Sequence, residues 1–106
     1  FNITTAATYK EGLAQLAKND FDVCIIDYVL ADQDGLTLIE QANSSDKNHA
    51  FILLSGVLTQ ELRQKAFKLG VYDVLSKDEV TPALIQRSIN YTIIHKKTNL
   101  FLQTNG

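Results

Sequence analysis

Short runs of uninterrupted apolar residues alternate along the chain with stretches in which apolar positions recur every three or four residues. The first pattern predicts strands and the second amphipathic helices. Residues 1–4 alternate apolar and polar side chains, as a half-exposed strand does. Thr8 and Glu11 then have capping-box spacing, with Tyr9, Leu13, Leu16 and Ala17 on one face of the helix that follows. Asn19-Asp20 ends it. Residues 21–30 contain Val23-Cys24-Ile25-Ile26, an apolar run without strict alternation. A strand covered on both faces reads this way. It stops at Asp27, and a polar turn with Asp32 and Asp34 leads into a helix over residues 35–42 with Leu36 and Ile39 inward.

The alternation continues after a polar loop over residues 43–48. Phe51-Ile52-Leu53-Leu54 predicts a buried strand ending at Ser55-Gly56. Thr59 is positioned to cap a third helix carrying Leu62, Ala66 and Leu69, with Glu61 and Lys65 a favourable i, i+4 pair. Gly70 stands where a left-handed helix end belongs. Residues 71–76 predict a short strand, followed at once by Lys77. Thr81-Pro82 starts the last helix, with proline at the position that needs no N–H. Its apolar residues Leu84, Ile85, Ile89, Ile93 and Ile94 predict a helix that runs past Leu100, roughly 30 Å if it reaches 20 residues. A helix that long would extend beyond the sheet toward something else.

The predicted order is β-α-β-α-β-α-β-α. Such alternation implies an α/β fold, a three-layer arrangement of parallel sheet with helices on both faces and right-handed crossovers. Length and composition agree with one ordinary globular domain. The chain has 106 residues, 45% hydrophobic and 21% charged, and can bury about two-thirds of its unfolded surface. Ten basic against 12 acidic residues give a net charge of −2, which argues against a nucleic-acid surface spread over the domain. The single cysteine, Cys24, lies in an apolar strand and reads as a small buried hydrophobe. No apolar run is long enough to span a bilayer, and a cytoplasmic domain is the expectation.

The chemistry gathers at strand ends. Asp27, Ser55 and Lys77 stand at three consecutive strand C-termini, where α/β sheets place their functional groups. An aspartate beside an ammonium stays ionised and can act as nucleophile or metal ligand. A hydroxyl and an ammonium can both donate to a tetrahedral anion. Taken singly, each residue has a plainer reading: a turn former, a loop start, a solvated lysine. Their joint placement is what singles them out.

The residues Phe21-Asp22-Val23-Cys24-Ile25-Ile26-Asp27, Gly35 eight positions after Asp27, Ile52-Leu53-Leu54-Ser55-Gly56, and the run Ala66 through Lys77 together resemble the receiver domain of two-component response regulators, a flavodoxin-like fold. The resemblance covers nearly the whole chain. It implies that Asp27 takes a phosphoryl group from a sensor histidine kinase, with Ser55 and Lys77 binding the phosphoryl oxygens. It also implies Mg²⁺ held by Asp27 and the main-chain carbonyl of Val29. The third and fourth helices and the strand between them would then carry the signal, as a phosphorylation switch rather than an enzyme.

The sequence departs from that family in four places. A receiver normally begins with a strand ending in two adjacent acidic residues that hold the Mg²⁺, and no such pair precedes Thr8. On the family's strand order, 2-1-3-4-5, the first strand would lie between the first two strands of this chain. Its absence predicts a gap of roughly 10 Å lined by unpaired backbone groups. The expectation is an N-terminally incomplete receiver, with residues 1–4 moved into the gap or a second copy filling it by strand exchange or homodimer formation as alternatives. Ala31 and Asp78 stand where the family usually has proline, and Val74 replaces the aromatic switch residue.

The domain boundaries expected are a receiver core over residues 1–80 and a final helix over 81–106 directed at an output module or dimer partner. Arg87, His95, Lys96 and Lys97 make its distal half basic, read as a solvated face. The competing function is a receiver-like interaction module that takes no phosphate. An aspartate-nucleophile phosphatase of the haloacid dehalogenase type would need a second aspartate where Val29 stands.

Overall fold

The computed structural model describes residues 2–6, 8–18, 23–29, 34–44, 49–95 and 99–103, with backbone alone for the strands at 2–6 and 99–103. Five strands and four helices follow one another: β1 (Asn2–Ala6), α1 (Tyr9–Lys18), β2 (Val23–Asp27), α2 (Gly35–Asn43), β3 (Ala50–Ser55), α3 (Gln60–Lys68), β4 (Asp73–Ser76), α4 (Pro82–His95) and β5 (Asn99–Gln103). The strands form one parallel sheet in the order β1-β5-β2-β3-β4.

The interior divides at the sheet. Cys24 and Ile26 of β2 and Phe51 and Leu53 of β3 face α1, α2 and α3 through Leu16, Leu38, Ile39, Ala42, Leu62 and Ala66. Val23, Ile25, Ile52 and Leu75 face α4 through Ile89, with Leu84, Ile85 and Ile93 at its margin. Both sides of β2 and β3 are therefore apolar, which is why these strands do not alternate. The first three crossovers advance along the sheet with their helices on one face. The fourth returns with α4 on the other face. Reversing both direction and face preserves the hand.

Local signals set the helix starts. The Glu11 N–H donates to Thr8 Oγ1 at 3.1 Å, Leu62 N–H to Thr59 Oγ1 at 3.1 Å, and Leu84 N–H to Thr81 Oγ1 at 3.1 Å. Each satisfies one helix-end donor that has no partner within the helix. Gly70, with φ of 86°, takes the left-handed position after α3.

The structure corrects several of these expectations. The final helix does not continue to residue 106. It ends at His95, about 21 Å after its start, and residues 99–103 form a fifth strand. That strand lies in the place where a gap was expected, pairing with β1 on one side and β2 on the other. The physical reason is the demand of two strands for hydrogen-bond partners, which outweighs helical continuation. Asn2–Ala6 do not move into the place: they remain on its far side, paired with β5.

Ala17 is exposed, and the buried line of α1 runs through Gly12 and Leu16. Ile94 is 76% exposed, while Ser88 and Thr92 take the sheet-facing positions of α4. Both polar residues are satisfied there: Ser88 Oγ donates to Asp73 Oδ2 at 2.9 Å and Thr92 Oγ1 to the Ser88 carbonyl at 3.0 Å. The readings placed on Tyr9 as a packing side chain, on Asn19-Asp20, Ala31 and Asp32, on Lys96-Lys97, and on the His95 side chain lie outside the described residues.

Candidate functional site

Parallel register brings three carboxyl strand ends into line. Asp27 closes β2 and pairs with Leu54, Ser55 closes β3 and pairs with Ser76, and Lys77 is the first residue beyond β4. Register therefore places the three residues at one edge of the sheet, with Asp27 and Lys77 in contact. The Lys77 N–H donates to the Ser55 carbonyl at 2.9 Å, which carries the β3–β4 pairing one residue further and fixes where the lysine begins.

Asp27 is only 2% exposed. A buried carboxylate needs a charge partner and hydrogen-bond donors. Lys77 Nζ supplies the first, 2.5 Å from Asp27 Oδ2. The main-chain N–H of Val29 donates to Oδ1 at 3.1 Å. The lysine side chain is 39% exposed while its partner is buried. The pair presents a held carboxylate with a cation beside it.

Ser55 is buried, but its hydroxyl is engaged locally. It donates to the Val57 carbonyl and accepts from the Val57 N–H at 3.2 Å. Its backbone is where the strand pattern predicted. Its hydroxyl partner is a main-chain group two residues on, a contact that the apolar pattern does not announce.

The loop after Asp27 folds back on itself. Val29 pairs with Asp34 in an antiparallel bridge, and the Gly35 N–H donates to the Tyr28 carbonyl at 2.6 Å. Asp34 is the N-cap of α2: its Oδ1 accepts from Thr37 N–H at 2.8 Å and Thr37 Oγ1 at 2.9 Å. Sequence reading passed over this cap and the close approach of Gly35 behind it. The available signal was Asp34-Gly35 directly before Leu36, with threonine three positions after the aspartate.

Asp34 is thus committed to the helix. Among the described residues no group of three or more His, Cys, Asp or Glu side chains is placed to hold a metal ion. Of the two metal ligands expected, the Asp27 carboxylate lies at the strand edge and Val29 follows two residues on, its N–H bonded to Asp27 Oδ1. Mg²⁺ accepts one or two carboxylates when water and phosphate oxygens complete its shell. A carboxylate and a main-chain carbonyl are oxygen donors of the kind that fit a Mg²⁺ arriving with a phosphoryl group.

Val74 is buried in the layer under α1–α3, so the place of an aromatic switch is taken by core packing. No cis peptide bond occurs among the described residues. No described helix is long and apolar enough to cross a membrane.

Comparison with known proteins agrees with this geometry. The chain is 27% identical over 66 residues to the transcriptional regulatory protein RprY of Bacteroides fragilis (strain YCH46), 62% of this chain and 28% of that protein. The chain thus spans under a third of that relative. The response regulator receiver domain (CheY-like) protein of Methanospirillum hungatei JF-1 superposes with a TM-score of 0.78 at 26% identity, over 85% of this chain and 71% of the other. The receiver domain of Francisella response regulator 1452 superposes with a TM-score of 0.76 at 29% identity, over 88% and 77%. The family model described as the response regulator receiver domain matches residues 1–89, and with the fold and strand-end constellation in place the chain belongs to that family, the CheY-like, flavodoxin-like receivers of two-component signalling.

Proposed function

We propose that Asp27 accepts a phosphoryl group from a phosphohistidine of a sensor histidine kinase, and that the acyl phosphate re-poses the surface formed by α3, β4 and α4. The observation that carries this reading is the buried Asp27 carboxylate held against Lys77 at the carboxyl edge of the sheet. An Asp27 oxygen attacks phosphorus, the phosphorus–nitrogen bond of the donor breaks, and the imidazole nitrogen keeps the electron pair and takes a proton. The product replaces one buried negative charge by a dianion.

The chain's own groups answer that change. Lys77 lies beside the attacking carboxylate and neutralises the phosphoryl oxygens. The Val29 N–H keeps one Asp27 oxygen oriented. The Ser55 hydroxyl can turn from the Val57 carbonyl to a phosphoryl oxygen, which releases the loop leading into α3. The hydroxyl thus has two arrangements, and a local charge change biases them. Receiver domains generally use Mg²⁺ for phosphorylation. In this chain Asp27 and the Val29 carbonyl would hold it, and its charge would lower the repulsion between carboxylate and phosphoryl oxygens.

The working compartment proposed is the cytoplasm, where a kinase and an output module would meet this domain. A transcriptional output is the first to test, since the relative RprY is named a transcriptional regulatory protein. A second reading, an interaction module that takes no phosphate, is favoured by Val74, which is packed into the core where an aromatic switch would stand. Intact-mass spectrometry after incubation with acetyl phosphate and Mg²⁺ separates the two. The proposal expects one added phosphoryl mass, absent in Asp27→Asn. No addition to the wild type would favour the interaction module.

A further inference from the structure

The backbone on either side of Tyr28 is gripped at two successive peptides. The Tyr28 N–H donates to the Leu54 carbonyl at 2.7 Å, and the Tyr28 carbonyl accepts from the Gly35 N–H at 2.6 Å. Gly35 also packs directly on the Asp27 main chain. A Cβ at position 35 would lie inside the van der Waals envelope of the Asp27 carbonyl oxygen, 3.1 Å from its carbon and 2.9 Å from Ile26 Cγ2. Gly70 is the positive-φ glycine among the described residues, so position 35 needs glycine for space and not for its backbone angle.

The helix cannot simply retreat. Gly35 is the first residue of α2, directly after the cap in which Asp34 holds Thr37. Asp34 is bridged to Val29, and Leu38 and Ile39 are fully buried in the layer below. Backing α2 away would break the bridge and open the core. A side chain at position 35 must therefore move the Asp27 peptide, and with it the carboxylate that meets Lys77 and the Val29 N–H.

We infer that Gly35 is a positioning residue for the phosphoacceptor: the missing Cβ lets α2 dock on the Asp27 peptide and sets the direction of the Asp27 carboxylate. The functional half rests on the reading of Asp27 as phosphoacceptor. The geometric half stands without it.

The test compares Gly35→Ala with Thr37→Ala, which weakens the same helix start without approaching Asp27. Acetyl phosphate with Mg²⁺ is the phosphodonor, and the Val29 amide and Asp27 carboxyl NMR signals report the geometry. Gly35→Ala is expected to move both signals and to slow phosphorylation about tenfold to a hundredfold, the scale of a displaced reacting group. Thr37→Ala is expected to keep the rate within about twofold, as for a small change in stability. Wild-type signals in a folded Gly35→Ala variant, or shifts no larger than those of Thr37→Ala, would overturn the inference. If wild type takes no phosphoryl group, the proposed function fails while the signals still decide the positioning. If Gly35→Ala does not fold, hydrogen exchange in the wild type decides. The Gly35 and Val29 amides should then open together, with protection agreeing within about threefold, and independent opening would contradict the coupling.

Discussion

The ammonium of Lys77 meets the carboxylate of Asp27 at 2.5 Å, with the aspartate buried and the lysine open to water. This asymmetry predicts unequal costs of breaking the pair. Lys77→Ala removes the described cation from a buried carboxylate, and should destabilise by about 1–3 kcal/mol after allowance for solvent screening of the lysine. Asp27→Asn keeps an acceptor for Val29 and leaves an ammonium that water can reach, so it should cost less than about 1 kcal/mol. Urea unfolding of both variants checks the order. Equal costs, or a reversed order, would mean that the pair does not carry the buried charge.

Ser55 separates stability from chemistry. Its hydroxyl bonds only to nearby main-chain groups of Val57 in the described contacts. Ser55→Ala should therefore cost about 1 kcal/mol in stability. If the hydroxyl turns to the phosphoryl group, the same variant should slow phosphorylation tenfold or more, on the scale of losing one preplaced donor. Stopped-flow transfer from acetyl phosphate checks the rate. An unchanged rate would remove Ser55 from the site.

The metal donors give a third expectation. With Asp34 holding Thr37 and the Asp27–Val29 pair as the described donors, the resting protein should gain no stability from Mg²⁺. A chelator should leave its melting temperature unchanged, and calorimetric titration with Mg²⁺ alone should show no saturation at low concentrations. A rise in melting temperature on adding Mg²⁺ would reveal a resting site.

The place of β5 makes a fourth. In the described sheet β1 pairs with β5 alone, and β5 joins it to β2. A chain ending at His95 would leave both neighbours with open backbone groups, and open strand edges recruit other chains. Such a chain should self-associate in sedimentation velocity. A monomer with an unchanged melting curve would show that the sheet does not depend on β5.

What the sequence disclosed is what local physics decides. The two-sided apolar runs identified β2 and β3, and Thr8, Thr59 and Thr81-Pro82 marked the helix starts, because capping is settled within four residues. Asp27, Ser55 and Lys77 were legible because each follows the end of an apolar run. The fifth strand was not. Leu100 stands seven residues after Ile93 and continues the helical pattern of α4, and only the non-local need of β1 and β2 for a partner turns that segment into a strand. The sheet face of α4 escaped for a related reason. Ser88 and Thr92 are polar in sequence and become buried by bonding to Asp73 and to the helix itself. Within the site, the turn of the Ser55 hydroxyl toward Val57 and the seat of Gly35 on the Asp27 peptide depend on tertiary packing that spacing does not encode.

The central claim is that Asp27 carries the phosphoryl group. It is tested most directly by reducing the acetyl phosphate-treated protein with borohydride and mapping its peptides by tandem mass spectrometry. Borohydride converts an aspartyl phosphate to homoserine and leaves a free carboxylate untouched. The account predicts homoserine at position 27, dependent on the phosphodonor and lost when Lys77 is replaced by alanine. Unmodified Asp27 in the treated wild type, or homoserine at another aspartate, would contradict it.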